Sequence, residues 1–213
     1  MLVRGVMTKN VITVSPDTPV VEALKIMKEH KFRRLPVVNK AGKLVGLVTE
    51  TRLEQVKPRA AAPIIWQISY VLHHTTVGDV MRKKVVTVKP TDTVEMTVAK
   101  AQAARVGTAI VVEKNKIVGI CTTNDLFYRI VNPTLGIGES GIRILINGGG
   151  RAKSAEKILH CVNQLGVGIK IIWTSPSSTA LETDLTLQLD TDDATIVVKE
   201  LAKLGYEAIV RQR

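Results

Sequence analysis

The sequence predicts an α/β (α+β) protein in which a β-α-β-β-α unit occurs twice and is followed by a smaller βαββαβ unit. Three observations predict it. A repeat at a constant offset of 74 residues runs through the first two thirds, β-branched runs of strand length alternate with Ala- and Leu-bearing stretches of helical period, and the last third changes to a different element order. The 213 residues are 45% hydrophobic but 3% aromatic, so the chain is long enough to bury aliphatic cores in one to three compact units.

The repeat is direct. VMTKNVITVSPDTPV from Val6 answers VMRKKVVTVKPTDTV from Val80, and RRLPVV (33–38) answers GTAIVV (107–112). After a one-residue deletion, LVGLVTETRL (44–53) answers IVGICTTNDL (117–126). In the first copy VITV (11–14) reads as a strand ended by Ser15-Pro16. A helix is predicted over 19–30, with Pro19 in its first turn and Val20, Leu24 and Met27 on one stripe. The strands LPVVN and KLVGLVT follow, joined by an Ala41-Gly42 turn, and a helix starts from Thr49. In the second copy Asp92 and Glu95 fall in the capping-box positions of the long helix. Between the copies, KPRAAAP and IIWQISYVLHH read as a linker and a short apolar helix. The boundaries expected are 1–56 and 77–135 for the repeats, 57–76 for the linker and 140–213 for the last unit.

Composition narrows the function classes. No run approaches the roughly 18 apolar residues that cross a bilayer, and MLVRGVMTKN lacks a signal-peptide core. A cytoplasmic protein with no membrane partner is expected. Cys121 and Cys161 offer neither metal spacing nor a disulfide framework. The histidines are scattered at 30, 73, 74 and 160, and the adjacent pair points to different sides of its helix. No nucleophile and base assemble, so a non-catalytic protein without metal or redox cofactor is expected. The net charge of +11 is uneven: residues 1–59 hold 12 Lys/Arg against 5 Asp/Glu, residues 60–135 hold 9 against 5, and residues 136–213 hold 9 of each. An excess confined to the first two thirds fits an anionic ligand there, whether phosphate, nucleic acid or membrane surface.

The ending G-x-x-T-x-x-D of the second copy carries the chemistry. Gly119 is expected to end a buried strand and Thr122 to open the following helix, so that its hydroxyl and nearby N–H groups face an anion. Asp125, three residues on and next to Asn124, lies on the same helix face. A phosphate donor and an acceptor for two ribose hydroxyls are then about one turn apart, which suits a nucleotide. An isolated Thr-x-x-Asp would read only as a capping box; its place in a doubled repeat favours a ligand. The first copy keeps Gly46 and Thr49 but has Arg52 where the second has Asp125. Arginine cannot accept hydrogen bonds from a ribose diol. One good site and one degenerate site per chain are predicted, with Arg52 filling the second or reaching toward a phosphate in the first.

The doubled V-M…T-V-x-P opening, the L-P-V-V strand and the G-x-x-T-x-x-D ending resemble the CBS domain pair, or Bateman module, over residues 1–135. That resemblance implies a flat two-fold module with two shared clefts that hold AMP, ADP, ATP or related adenosyl compounds. Carried over by position, the Asp125 cleft would use the main chain of Val11 and Ile12 for the adenine edge and Arg33 and Arg34 for phosphates, together with Thr122 and Asn124. Paired guanidiniums suit a multiply charged ligand. The degenerate cleft would set Val86, Gly107 and Thr108 opposite Thr49 and Arg52.

From Gly141 the order is strand IRILIN, helix AKSAEKILHCVNQLG, strands GIKIIWTS and ALETDLTLQLD, helix ATIVVKELAKLG and strand YEAIVRQ. This is a ferredoxin-like split unit and resembles an ACT domain. The turn Asn147–Arg151 lacks the acidic-x-Pro-Gly of ACT amino-acid sites, and its glycine run lacks the Lys-Ser/Thr of a P-loop, so it reads as a flexible turn. The order CBS, linker helix, CBS, ACT is similar to the acetoin utilization protein B family, which implies a link to acetoin or related carbon metabolism. The function expected is a regulator that senses an adenine nucleotide, AMP or ATP foremost, as a homodimer through its CBS and ACT parts and acting on another protein. The alternatives are a nucleic-acid-associated basic protein, against which stands the lack of aromatic interleaving or a helix-turn-helix, and a dimerisation scaffold without ligand.

Overall fold

The computed structural model describes residues 1–56, 70–71, 73–177 and 182–211. It divides into two compact units, Met1–Phe127 and Tyr128–Arg213, and a π-helical turn, Phe127–Val131, spans that division.

In the first copy the helix Val20–His30 follows Pro19, which occupies the N-cap, and buries Val20, Ala23 and Met27. Strands β1 (Arg34–Val38) and β2 (Leu44–Thr49) pair antiparallel beneath it. Thr49 caps the short helix Glu50–Glu54 by accepting the Arg52 N–H. The buried cluster joins Val14, Met27, Leu35, Val37, Val48 and Leu53. The second copy repeats this with β3 (Thr87–Val88) parallel to β4 (Thr108–Glu113), and β4 antiparallel to β5 (Lys116–Thr122). The one-residue deletion falls in the hairpin turn. Asn39 Oδ1 accepts the Ala41 and Lys43 N–H groups in the longer first turn. Lys114 and Asn115 both take positive φ in the second, as a tight two-residue hairpin requires.

Three expectations are corrected. The strand VITV is not formed: only Val14 bridges, in parallel, to Val37, and residues 11–12 turn away from the sheet to face a cavity. The long helix Val94–Ala103 is capped by Thr93, whose hydroxyl accepts the Met96 N–H. Asp92 instead accepts the Lys89 N–H and the Lys100 ammonium, so the capping box expected of Asp92 and Glu95 is absent. Gly119 lies within β5 rather than at its end. The linker helix expected in 57–76 falls largely outside the described residues; Tyr70, Val71, His73 and His74 are helical, and the His74 ring stacks on Tyr70 at 3.9 Å.

The copies exchange their openings. Thr8 and Ile120 trade two backbone hydrogen bonds of 2.9 Å, and Leu47 and Arg82 trade their counterparts of 2.9 and 2.8 Å. Each opening methionine fills the space beside the other copy's strand glycine. A Cβ on Gly119 would lie 2.5 Å from Met7 Sδ, and one on Gly46 would lie 2.4 Å from Met81 Sδ. The V-M and G-x-x-T parts of the repeat are thus two sides of one contact, made twice.

The second unit runs β6 (Ile142–Ile146), helix Ala152–Gln164, β7 (Ile169–Pro176), β8 (Thr183–Leu189), helix Thr195–Lys203 and β9 (Ala208–Arg211). Its antiparallel sheet has the order β7-β8-β6-β9. Leu185, Leu187 and Leu189 alternate along β8 onto the core face with Ile144 and Ile146, and the helices add Ile158, Val162, Val197 and Leu201 at four-residue spacing. On the other face the fully buried Gln188 accepts from Arg143 Nε at 3.3 Å and donates to the Ser140 carbonyl at 3.0 Å. The glycine run is packed rather than flexible. A Cβ would meet Ile158 at 2.8 Å from Gly149 and the Thr183 carbonyl oxygen at 2.8 Å from Gly150, while the Gly148 N–H donates to the Asp184 carboxylate.

Candidate functional site

The exchanged openings leave two cavities in the first unit, one on each side of the repeat. The first has a volume of about 440 Å³ and draws walls from both copies. From the first copy come Val11, Ile12, Arg33 and Arg34; from the second come Thr122, Asn124 and Asp125. All seven residues expected at the principal site therefore line one space. Thr8, Asn10, Lys31, Phe32, Pro36 and Ile120 complete it and were not anticipated. Thr8 was readable in principle, since the offset of 74 pairs it with Arg82 in an opening that already stood out as repeated.

Asp125 is the hub. Its Oδ2 accepts the Thr122 hydroxyl at 2.6 Å and the Thr122 N–H at 2.8 Å, and its Oδ1 accepts the Thr8 hydroxyl at 2.8 Å. A carboxylate only accepts, so both hydroxyls donate to it. The Thr8 bond spans 117 residues of sequence and ties the first copy's opening to the second copy's closing helix.

This geometry corrects the expected anion-binding helix start. The Thr122 hydrogen is given to Asp125, the Asp125 N–H returns to Thr122 Oγ1 at 3.3 Å, and the Thr123 N–H goes to the Gly107 carbonyl at 3.2 Å. Thr-x-x-Asp is here a closed capping box. The same pairing recurs where Thr76 N–H and hydroxyl donate to Asp79 at 2.8 and 2.7 Å, and these bonds hold the Asp79 carboxyl below its ordinary value. What separates Asp125 from Asp79 is the third donor, delivered by the other copy, and the cavity beside it.

The cations that line the first cavity are Lys31, Arg33 and Arg34. Lys31 sits in the left-handed region at φ 55° as the C-cap of its helix. Arg33 is 85% exposed at the rim, with Nε 3.9 Å from Glu50. Arg34 lines both cavities, and a Cβ on Gly107, in the wall of the second, would lie 3.4 Å from its Nη2. Ile12, Pro36 and Ile120 add an apolar part to the lining, and no backbone–backbone hydrogen bond among the described residues engages Val11 or Ile12.

The second cavity is smaller, about 240 Å³, and brings together Thr49, Arg52, Val86, Gly107 and Thr108 as expected. Arg34, Arg82, Lys84 and Arg105 join them. Arg52 does not cross into the first cavity; its Nε donates to the Val80 carbonyl. Among the described residues no group of three or more His, Cys, Asp or Glu side chains is placed to hold a metal, and no helix is long and apolar enough to cross a membrane.

Comparison with known proteins adds the following. The family model described as CBS domain matches residues 3–56 and 77–132. The chain is 32% identical over 142 residues to inosine-5'-monophosphate dehydrogenase of Methanocaldococcus jannaschii, covering 66% of this chain and 26% of that enzyme, so it spans about a quarter of that relative's length. It has the fold of a protein from Vibrio cholerae described as an acetoin utilization protein, at a TM-score of 0.52 and 24% identity over 62% of this chain and 91% of that one. A CBS domain pair solved in complex with 5-methylthioadenosine and S-adenosyl-L-methionine is 25% identical at a TM-score of 0.50, covering 61% of this chain and 98% of that one.

Proposed function

Since the chain belongs to the CBS-domain family through residues 3–56 and 77–132, we propose that it is a regulatory, non-catalytic protein that senses an adenosyl ligand in its first cavity. The observation that carries this reading is the hydrogen bond from Thr8 to Asp125 on the wall of a 440 Å³ space, a volume within the roughly 300–1,000 Å³ of small-molecule sites. A ribose hydroxyl would share Asp125 Oδ1 with the Thr8 hydroxyl or displace it, exchanging one neutral donor for another. The adenine would lie against Ile12, Pro36 and Ile120 with its polar edge on the main chain of Val11 and Ile12. Lys31, Arg33 and Arg34 favour a ligand with phosphate, AMP or ATP, over an uncharged nucleoside.

The same bond supplies the signal. It joins the two copies, so a ligand that loosens it and bridges the cavity has different affinities for two arrangements of the pair, which is what regulation requires. In this reading repeats 1–56 and 77–135, with linker 57–76, are the sensor. The unit at 140–213 is an ACT-like, ferredoxin-like domain that pairs with its copy in a cytoplasmic homodimer and passes the change to a partner protein, in acetoin or related carbon metabolism.

Thermal denaturation with AMP, ADP, ATP, NAD and S-adenosylmethionine, on wild type and Asp125→Ala, tests it. One adenosyl ligand per chain should stabilise the wild type. Because hydrogen bonds to a charged group contribute about 1.5–3 kcal/mol, Asp125→Ala should weaken binding by ~10–100-fold relative to its own ligand-free baseline. Equal affinity in the variant, or no stabilisation by any of the five, would end the proposal.

A further inference from the structure

The second cavity has a chemistry of its own. Where the first opposes Thr8 and Asp125, the residues at the corresponding positions are Arg82 and Arg52. Lys84, Arg105 and Arg34 line the same space, and among the described residues no aspartate or glutamate does. Among the described residues Arg34, Arg82, Lys84 and Arg105 form no ion pair. Five cations around one small cavity, four of them exposed, set up a local positive field that favours an anion among them. Arg105 is moreover held at φ 52°, a left-handed position after a helix where glycine is the common occupant, so a cation stands where the backbone favours none.

An independent observation points into the same space. Thr108 is only 3% exposed and lines the cavity, yet its hydroxyl is the one buried side-chain polar atom among the described residues without a hydrogen-bond partner. Buried hydroxyls are ordinarily satisfied. This one is a donor waiting for an acceptor beside a cluster of guanidiniums. At about 240 Å³ the space is smaller than the usual small-molecule site and offers no carboxylate to a ribose.

We propose that this cavity binds a compact polyphosphate group, pyrophosphate or tripolyphosphate in size, with the arginines forking its oxygens and Thr108 donating to one of them. Arg34 lines both cavities, so the group is either a free inorganic anion or the phosphate tail of a nucleotide seated in the first. As a free-anion site it stands apart from the adenosyl reading of the first cavity; as the seat of a nucleotide tail it rests on that reading.

Isothermal titration with pyrophosphate at constant ionic strength, alongside AMP and ATP, tests it on wild type, Asp125→Ala, Arg82→Ser/Arg105→Asn, Thr108→Val and Thr108→Ser. Pyrophosphate should bind once per chain to wild type and to Asp125→Ala, at least 10-fold more weakly to the arginine double variant, and several-fold more weakly to Thr108→Val but not to Thr108→Ser. Binding unaffected by saturating AMP identifies a free anion as the ligand. Failure of pyrophosphate, with ATP but not AMP weakened in the double variant, identifies a nucleotide tail and supports the same site. The double variant lies on exposed side chains, and its melting curve reports its folding. Pyrophosphate and ATP both indifferent to the arginine and Thr108 changes, or pyrophosphate binding abolished by Asp125→Ala, would overturn the proposal.

Discussion

In the first cavity a threonine of one repeat reaches an aspartate of the other across 2.8 Å; in the second, the corresponding positions hold Arg82 and Arg52, and Arg52 turns to the Val80 carbonyl instead. The backbone around the two is the same. Thr8 pairs with Ile120 as Arg82 pairs with Leu47, and Met7 lies against Gly119 as Met81 lies against Gly46. The lesson is that the framework of a duplicated unit and the chemistry of its clefts are separable. Strand pairing and methionine packing hold the copies together and need no particular charge. Two side chains then decide whether a cleft offers an acceptor to a sugar or a field to an anion.

The comparison can be broken most severely at the glycines. Gly119→Val and Gly46→Val each push a side chain into a methionine and a carbonyl oxygen, at 3.1 Å from Thr8 and 3.2 Å from Arg82 respectively, and overpacking of this kind costs about 1–3 kcal/mol. Both should lower the melting temperature by several degrees, but only Gly119→Val should also impair ligand binding in the first cavity, because it displaces Thr8. Equal binding losses in the two would mean that the cavities are not separable.

A second experiment sharpens the contrast. Arg52→Asp with Arg82→Thr rebuilds the hydroxyl and carboxylate in the second cavity and removes two bulky cations from it. Calorimetry should find adenosyl binding rise from one to two per chain, the new site being worth ~10–100-fold over the parent cleft on the strength of hydrogen bonds to a charged group of about 1.5–3 kcal/mol. A stoichiometry that stays at one would show that the flanking residues, not these two, set the difference.

The smallest effect concerns the capping boxes. Hydrogen bonds from Thr76 lower the Asp79 carboxyl from its usual 3.8. A carboxyl lowered in the folded state stabilises the fold above its unfolded value and loses that contribution as pH falls through the folded one. Asp79→Asn should therefore narrow the difference in melting temperature between pH 6 and pH 3 without altering ligand binding at pH 7. Asp125→Asn, by contrast, should alter ligand binding at pH 7.

How legible was this in the sequence? The repeat and most of its strands and helices could be read because the offset of 74 aligns each element with a second example of itself, whereas the residues that meet in each cavity come from the resemblance to the CBS pair. VITV was misread because β-branched runs score as strand wherever they occur, and nothing local shows that residues 11–12 leave the sheet to line a cavity. The cap at Thr93 rather than Asp92 turned on a one-residue choice between two good cap formers. The role of Thr122 failed for a different reason. A hydroxyl beside a carboxylate three residues on satisfies that carboxylate first, so the expected phosphate donor was already spent. Asn147–Arg151 reads as flexible because glycine permits motion; Gly149 and Gly150 are there because neighbouring atoms leave no room for a Cβ, and Gly148 because its φ is 64°.

The sequence by itself determined the two-copy plan, the element order of the last unit and the replacement of Asp125 by Arg52 at the matching position, since all three are written in periodicity and residue type. The tertiary structure alone decided that Thr8 closes on Asp125 and that five cations surround the unpartnered hydroxyl of Thr108. The first of these joins residues 117 positions apart. Local propensity fixes elements within a few residues, but only packing chooses which distant elements share a wall.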